Sequence, residues 1–275
     1  SNVNMSGCLM HRVKSLGEAK RLDGIDLSNL ASGRKVLRNQ SLASRSLKGA
    51  NLESLDLCGC DFTGADLSNV SMSGCKMEEV RGLDKALRLD GIDLSNLSSC
   101  RKVLRGKSLA GKDLKGANLS GLVLKGCDFT GADVSNVNMS GCLMHRVKSL
   151  GEAKRLDGID LSNLASGRKV LRNQSLASRS LKGANLESLD LCGCDFTGAD
   201  LSNVSMSGCK MEEVRGLDKA LRLDGIDLSN LSSCRKVLRG KSLAGKDLKG
   251  ANLSGLVLKG CDFTGADVSN VNMSG

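Results

Sequence analysis

Between residues 109 and 144 a large apolar residue returns at every fifth position: Leu109, Leu114, Leu119, Leu124, Phe129, Val134, Met139 and Met144. Two positions before each of the last six stands a small or apolar residue, namely Ala117, Leu122, Cys127, Ala132, Val137 and Cys142. A helix returns its apolar face about every 3.6 residues and a strand about every 2, so neither produces this ladder. A chain with a period of five must turn a corner every five residues and keep an inward position on each side.

The ladder sits inside two nested repeats. Residues 1–134 are identical to 135–268, and 269–275 begin a third copy. Within that long repeat lies a diverged half-repeat: Leu22-Asp23-Gly24-Ile25-Asp26-Leu27 returns at 89–94, and Phe62 returns as Phe129. Extended through the first half-repeat, the rungs are Leu22, Leu27, Ser32, Leu37, Leu42, Leu47, Leu52, Leu57, Phe62, Leu67, Met72 and Met77. The next rung, Leu89, lies twelve residues on, as if seven residues were inserted. One continuous solenoid over residues 1–275 is expected. Because neither end carries an atypical capping repeat, the chain is expected to be a segment of a longer array that continues end to end.

Composition narrows the class. With four Phe and no Trp, Tyr or Pro in 275 residues, an ordinary globular core is not expected, while a thin stack of Leu, Ala, Val, Met and Cys fits the composition. The twelve cysteines contain no Cys-x-x-Cys. Cys8, Cys60, Cys75, Cys127 and Cys142 fall on the small inward position, where a thiol serves as a small hydrophobe. In the Cys-x-Cys of Cys58 and Cys60, one side chain points in and one out. Reduced thiols predict an intracellular setting, cytoplasmic or cytoskeletal. No run of about eighteen apolar residues is present to span a membrane.

The spacer at residues 78–88 places Val80, Leu83, Ala86 and Leu87 on one helical face, with acid at its start and base near its end. This is the pattern of a short helix or helical loop, once in each half-repeat. Its counterpart carries Val13, Leu16 and Ala19, and Gly17 and Gly82 keep it short.

The words Ala50-Asn51-Leu52-Glu53-Ser54, Ala65-Asp66-Leu67-Ser68-Asn69 and Ala117-Asn118-Leu119-Ser120-Gly121 resemble the A-(D/N)-L-x-x words of the pentapeptide-repeat family. The resemblance implies an all-β solenoid, the right-handed quadrilateral β-helix. In it each pentad is one side of a square, four pentads make a coil, and the central Leu or Phe and the small residue two before it point inward. The match is strict over 47–77, 114–144 and their copies. Coils about 4.8 Å apart, three to each half-repeat, would advance about 29 Å per long repeat.

One departure leaves the coil count open. Lys102, Lys107 and Lys112, and in the first copy Lys35, Gln40 and Arg45, occupy the position meant for a small inward residue. A buried unpaired ammonium is too costly. Either these side chains splay outward from three coils, or two coils are joined by a helical excursion in which Leu97, Cys100 and Leu104 share a face. Residues 119–129 also fit a leucine-rich repeat, but such repeats recur about every 20 to 29 residues, and neither repeat of this chain supplies that spacing.

Chemistry-bearing patterns are sparse. His11 and His145 are expected to be solvent-exposed on the spacer, with no nucleophile tied to them. Asp61, Asp66, Asp128 and Asp133 stand between inward residues, where a hydrogen-bonded turn is expected in place of a cation site. No glycine run forms a phosphate loop. The chain is therefore read as no enzyme, with no cofactor and no metal. A net charge of +10 remains. Arg34, Lys35 and Arg38 recur as Arg101, Lys102 and Arg105, joined by Lys107, Lys112 and Lys115, a candidate basic patch for an acidic partner. A filament or assembly surface suits it better than nucleic acid, because aromatics for base stacking are missing. The expected function is a structural scaffold or spacer rod, attached along a cytoskeletal or axonemal filament as in a cilium or flagellum. The family resemblance also implies an alternative, a topoisomerase-directed mimic of DNA, which the positive charge opposes.

Overall fold

The computed structural model describes residues 3–5, 8–9, 16, 19, 21–28, 30, 36–148, 150–164 and 166–275. His11, Val13, Gly17, Ser32, Arg34 and Lys35 lie outside the described residues.

Each pentad makes its corner in the same way. The Leu55 N–H donates to the Leu52 carbonyl at 3.2 Å, and the residue before Leu55, Ser54, has φ 61. The same turn recurs at Leu67 and Val70, with Asn69 at φ 56. A positive φ at the third residue of a four-residue turn is the type II pattern, which selects Gly or Asn. That is why the position two after each large apolar residue is so often Gly, Asn or Ser. Gly82, at φ 75, is required for a second reason: a Cβ there would stand 2.8 Å from Thr63 Cα in the coil below.

The residue before each large apolar one pairs in parallel with its counterpart in the next coil. On one side of the rod these bridges run without a break from Asn4 through Asn51, Asn118, Asn185 and Asn252 to Asn272. From Asn51 the chain of bridges passes to Ser71, then to Asp93 and then to Asn118, and the same order then repeats. Three coils therefore make each half-repeat, a short one (51 to 71), a middle one (71 to 93) and a long one (93 to 118). The protein is a quadrilateral β-helix, filled by two rows of inward side chains. Leu109, Leu114, Leu119, Leu124, Phe129, Val134, Met139 and Met144 are all buried. Burying one such side chain fully contributes about 1.5–3 kcal/mol.

The middle and long coils are regular coils with one bulged side. In residues 78–88, Arg81 bridges Asp61 and Arg88 bridges Asp66, so two sides of the square lie between Met77 and Leu89 and one is two residues longer than a pentad. Leu83 and Ala86 face inward, while Leu87, expected on the same apolar face, is 69% exposed. The spacer is thus a loop that keeps its backbone in the ladder, because an α-helix would leave the neighbouring coils unpaired. A 3-10 turn forms in one copy of the spacer, at Leu150–Glu152. The long coil bulges at 98–107. The Ser98 N–H donates to the Cys75 carbonyl (3.1 Å) and Gly106 to Lys125 (2.9 Å), so both ends of the bulge stay in register with the coils on either side. Leu97 and Leu104 are buried and Cys100 is exposed. No helical excursion forms, and Lys102 and Lys107 point to solvent.

Between the middle and long coils the described bridges survive on one side only, as Asp93 to Asn118 and its copies. Long side chains reinforce this joint elsewhere. Lys112 Nζ donates to the Ala86 carbonyl at 2.6 Å, Lys246 to Ala220 at 2.6 Å, Arg179 to Ala153 at 2.9 Å and Arg45 to Ala19 at 3.2 Å. On the neighbouring side Lys107 pairs with Asp84 at 3.6 Å and Lys241 with Asp218 at 3.9 Å. Cations stand where Ala would be expected because their heads reach across the joint to oxygen atoms.

The thiols behave as core. Cys60, Cys75 and Cys127 each donate to a carbonyl one coil below, that of Leu37, Leu52 and Leu104, at 3.0 Å. Cys142 does the same to Leu119 at 3.1 Å. Cys8, expected inward, is exposed.

Two substitutions test this packing by chemical denaturation. Phe129→Ala should destabilise the rod by about 3–5 kcal/mol. Lys112→Met should cost about 1–2 kcal/mol by leaving the Ala86 carbonyl without its donor, whereas Lys115→Met, at an exposed corner, should change stability little.

Candidate partner-binding edge

The outward bulge at residues 98–107 raises Arg101, Lys102 and Arg105 along one edge of the rod, anchored from beneath by buried Leu104. The other three residues of the expected patch lie elsewhere. Lys107 and Lys112 serve the joint, and exposed Lys115 stands in a separate 600 Å³ groove of mixed charge with Arg88, Asp90 and Asp113. Copies of the bulge carry Arg168, Lys169 and Arg172, and then Arg235, Lys236 and Arg239.

The two kinds of half-repeat dress this edge differently. In one kind, the Arg38 guanidinium donates to Asp56 at 2.5 Å, and Arg172 to Asp190 at 2.6 Å. Asp56 also accepts the Cys58 N–H at 3.1 Å, and the Cys58 thiol donates to Glu78 at 2.7 Å. Burial, aided by the Asp56 and Glu78 carboxylates, pushes the Cys58 thiol up to about 12. The hydrogen bond from Cys58 holds the Glu78 carboxyl below its ordinary value. Burial alone would raise Asp56, but hydrogen bonds from Cys58 and Arg38 outweigh it and hold the carboxyl below the usual range. The network recurs at Asp190, Cys192 and Glu212.

In the other kind, Val123, Lys125 and His145 are the half-repeat equivalents of Asp56, Cys58 and Glu78. Arg105 and Arg239 then form no ion pair among the described residues. Over three coils the edge carries Arg101, Lys102, Arg105, Lys125 and Arg146, with exposed His145 beside them. Fully basic stretches therefore recur once per long repeat, which over six coils at about 4.8 Å each is about 29 Å. Stretches bearing Asp190, Glu212 and Glu213 separate them. That interval exceeds the screening length of about 8 Å at physiological salt, so each stretch acts as a separate patch. The Asp56, Cys58 and Glu78 network has one sequence signal, the difference between half-repeats at these positions. Counting charges alone does not find it.

The corner aspartates are turn formers. Asp128 Oδ1 accepts the Thr130 N–H at 3.0 Å and its hydroxyl at 2.6 Å. Asp61 does the same with Thr63, at 3.0 and 2.7 Å. The threonine hydroxyl and then its N–H hold both carboxyls below their ordinary value. Asp66 and Asp133 accept from Ser68 and Ser135 in the same manner. Among the described residues no three His, Cys, Asp or Glu side chains are placed to hold a metal ion. Among them, too, no helix is long and apolar enough to cross a membrane.

The sequence model described as "Pentapeptide repeats" matches the chain in eight copies over residues 46–81, 109–146, 180–215 and 242–275. No curated protein matches in sequence. Among solved structures, one similar chain is HetL of the cyanobacterium Nostoc, a pentapeptide repeat protein involved in regulating heterocyst differentiation. It shares 22% identity, with 87% of this chain and 90% of that chain covered and a TM-score of 0.24. QnrB1, a plasmid-mediated fluoroquinolone resistance protein, shares 14% identity over 89% of this chain and 90% of its own, with a TM-score of 0.25. A pentapeptide repeat protein of the Arabidopsis thaliana thylakoid lumen shares 21% over 62% and 73%, with a TM-score of 0.16.

Thiol titration of the native chain with a disulfide reagent at neutral pH should modify Cys8, Cys100 and Cys234 rapidly, the three exposed cysteines. Cys58 and Cys192, whose thiols are pushed up to about 12, should react only after denaturation.

Proposed function

Because this chain belongs to the pentapeptide-repeat family, with its words over half of the sequence, we propose that it is a structural rod, a scaffold or spacer that offers the same basic edge to a partner at equal intervals. The single observation that carries this reading is the side of bridges unbroken from Asn4 to Asn272, on which every coil is fixed in register with the next. A rod of that kind holds attached groups at set distances, which a compact fold of the same length does not. An acidic partner, lying along the rod as a filament or assembly surface, fits the basic stretches at Arg101, Lys102, Arg105 and Arg146. A cytoskeletal or axonemal filament, as in a cilium or flagellum, would be such a surface. Continuation of the array end to end would extend the spacing.

A catalytic role has little to draw on. The buried thiols are pushed up to about 11 or 12 by burial, away from the thiolate that a nucleophile needs. A mimic of DNA would require an acidic stripe, and this edge is interrupted by fully basic stretches once in each long repeat.

Small-angle X-ray scattering provides the test. The profile should be that of a thin rod with constant cross-section, whose twelve steps from Asn4 to Asn272 span about 58 Å at about 4.8 Å each. A compact, near-spherical profile would sink the reading.

A further inference from the structure

Beside each fully basic bulge lies a groove. Asn96, Leu97, Arg101, Ser120, Gly121 and Leu122 line one of 250 Å³. Its copy in the next long repeat, at Asn230, Leu231, Arg235, Ser254, Gly255 and Leu256, has a volume of 100 Å³. The floor of the first is apolar, since Leu97 and Leu122 are buried, and its rim is polar. The guanidinium of Arg101 makes no ion pair among the described residues, and neither does that of Arg235.

The intervening half-repeat carries carboxylates at the equivalent rim. There Glu187 replaces Ser120, and Asp190 replaces Val123. A neighbouring groove there, of 480 Å³, is lined by Arg168, Lys169 and Lys210 together with Asp190, whose carboxylate accepts from Arg172. Glu187 is held at the same rim by the Ser205 hydroxyl, at 2.9 Å, and Glu53 in the first copy by Ser71, at 2.8 Å. Both kinds keep the arginine, Arg101 and Arg168, without an ion pair among the described residues, and they differ in the rim, where one adds the Glu187 carboxylate and the other has only the Ser120 hydroxyl.

We propose that the groove at Arg101, and its copy at Arg235, each bind one carboxylate side chain of an acidic peptide segment in a partner protein. Arg101 supplies a planar pair of N–H donors that matches a carboxylate. The Ser120 hydroxyl donates a further hydrogen bond, and the methylenes of an Asp or Glu lie on Leu97 and Leu122. The inference rests on the reading of this edge as a partner surface, and it names the chemistry of that partner. Protein fits better than a continuous polyanion. The two sites are one long repeat apart, with Asp190, Glu212 and Glu213 between them. A nucleic-acid duplex carries a charge about every 1.7 Å and would lie across those carboxylates.

The experiment uses the full chain and a fluorescein-labelled peptide, Glu-Leu-Glu-Glu-Leu-Glu, titrated at low ionic strength, with a short DNA duplex in parallel. The wild-type chain should bind two peptides, one at each groove. Arg101→Met should leave one, and Arg101→Met with Arg235→Met should weaken binding by about tenfold or more. Ser120→Glu with Ser254→Glu, which copies the rim carboxylate of the other half-repeat, should do the same, while Lys115→Met should leave binding unchanged. Peptide binding that survives either double substitution overturns the proposal, as does duplex binding that these substitutions weaken while the peptide does not bind. Scattering from the same samples separates the two readings. A rod that fails to bind peptide removes the grooves alone, and a compact particle that binds peptide through Arg101 removes the rod alone.

Discussion

Hydrogen bonding from coil to coil is the constraint on which the rest depends. A pentad by itself buries only two side chains and closes one turn, too little to hold a fold. Each coil is stabilised by pairing its backbone with the coil above and below, so the chain gains cooperatively from neighbours along one axis. Every other regularity follows from keeping that pairing. The type II corners at Ser54 and Asn69 return the chain by a right angle, the large apolar residues fill the square, and thiols such as Cys60 and Cys75 fit the smaller inward row while donating to carbonyls one coil below.

Interrupting the pairing has a cost that the sequence meets with long cations. Coils of three different lengths cannot all register on every side, and where the middle and long ones meet, the described bridges persist on one side alone. Lys112 and Lys107 span that joint, one to the Ala86 carbonyl and one to Asp84. The same extra residues that disturb the ladder push Arg101, Lys102 and Arg105 outward. The device that accommodates unequal coils is therefore also the device that builds a charged edge at regular intervals.

The two half-repeats share this backbone and diverge in what they show to solvent. Asp56, Cys58 and Glu78 form a self-satisfied network around Arg38, and Val123, Lys125 and His145 dissolve it around Arg105. Buried positions tolerate little variation because each inward volume is matched to its coil. Outward positions are free of that restriction. Divergence collects there and doubles the period of the surface, from the half-repeat to the long repeat, without altering the fold.

The period of five, read from residues 109–144, was enough to specify the corner, the inward rows and the quadrilateral cross-section, because those properties are local and repeat within a single pentad. The aspartate turns at Asp61 and Asp128 were legible for the same reason. What lay beyond the sequence was long-range. Residues 78–88 read as an amphipathic helix because Leu83, Ala86 and Leu87 have helical spacing, yet pairing of Arg81 and Arg88 with the coil below makes them a bulged side and turns Leu87 outward. Lys102, Lys107 and Lys112 looked misplaced until the bulge showed Lys102 to be exposed and the joint showed which oxygens the other two reach. Whether Arg38 and Arg105 are alike was decided by the residues that stacking alone brings beside them, Asp56 in one case and Val123 in the other. Local spacing determined the shape of one coil, and contacts between coils decided which charges remain free, since those contacts join residues that no short window of sequence contains.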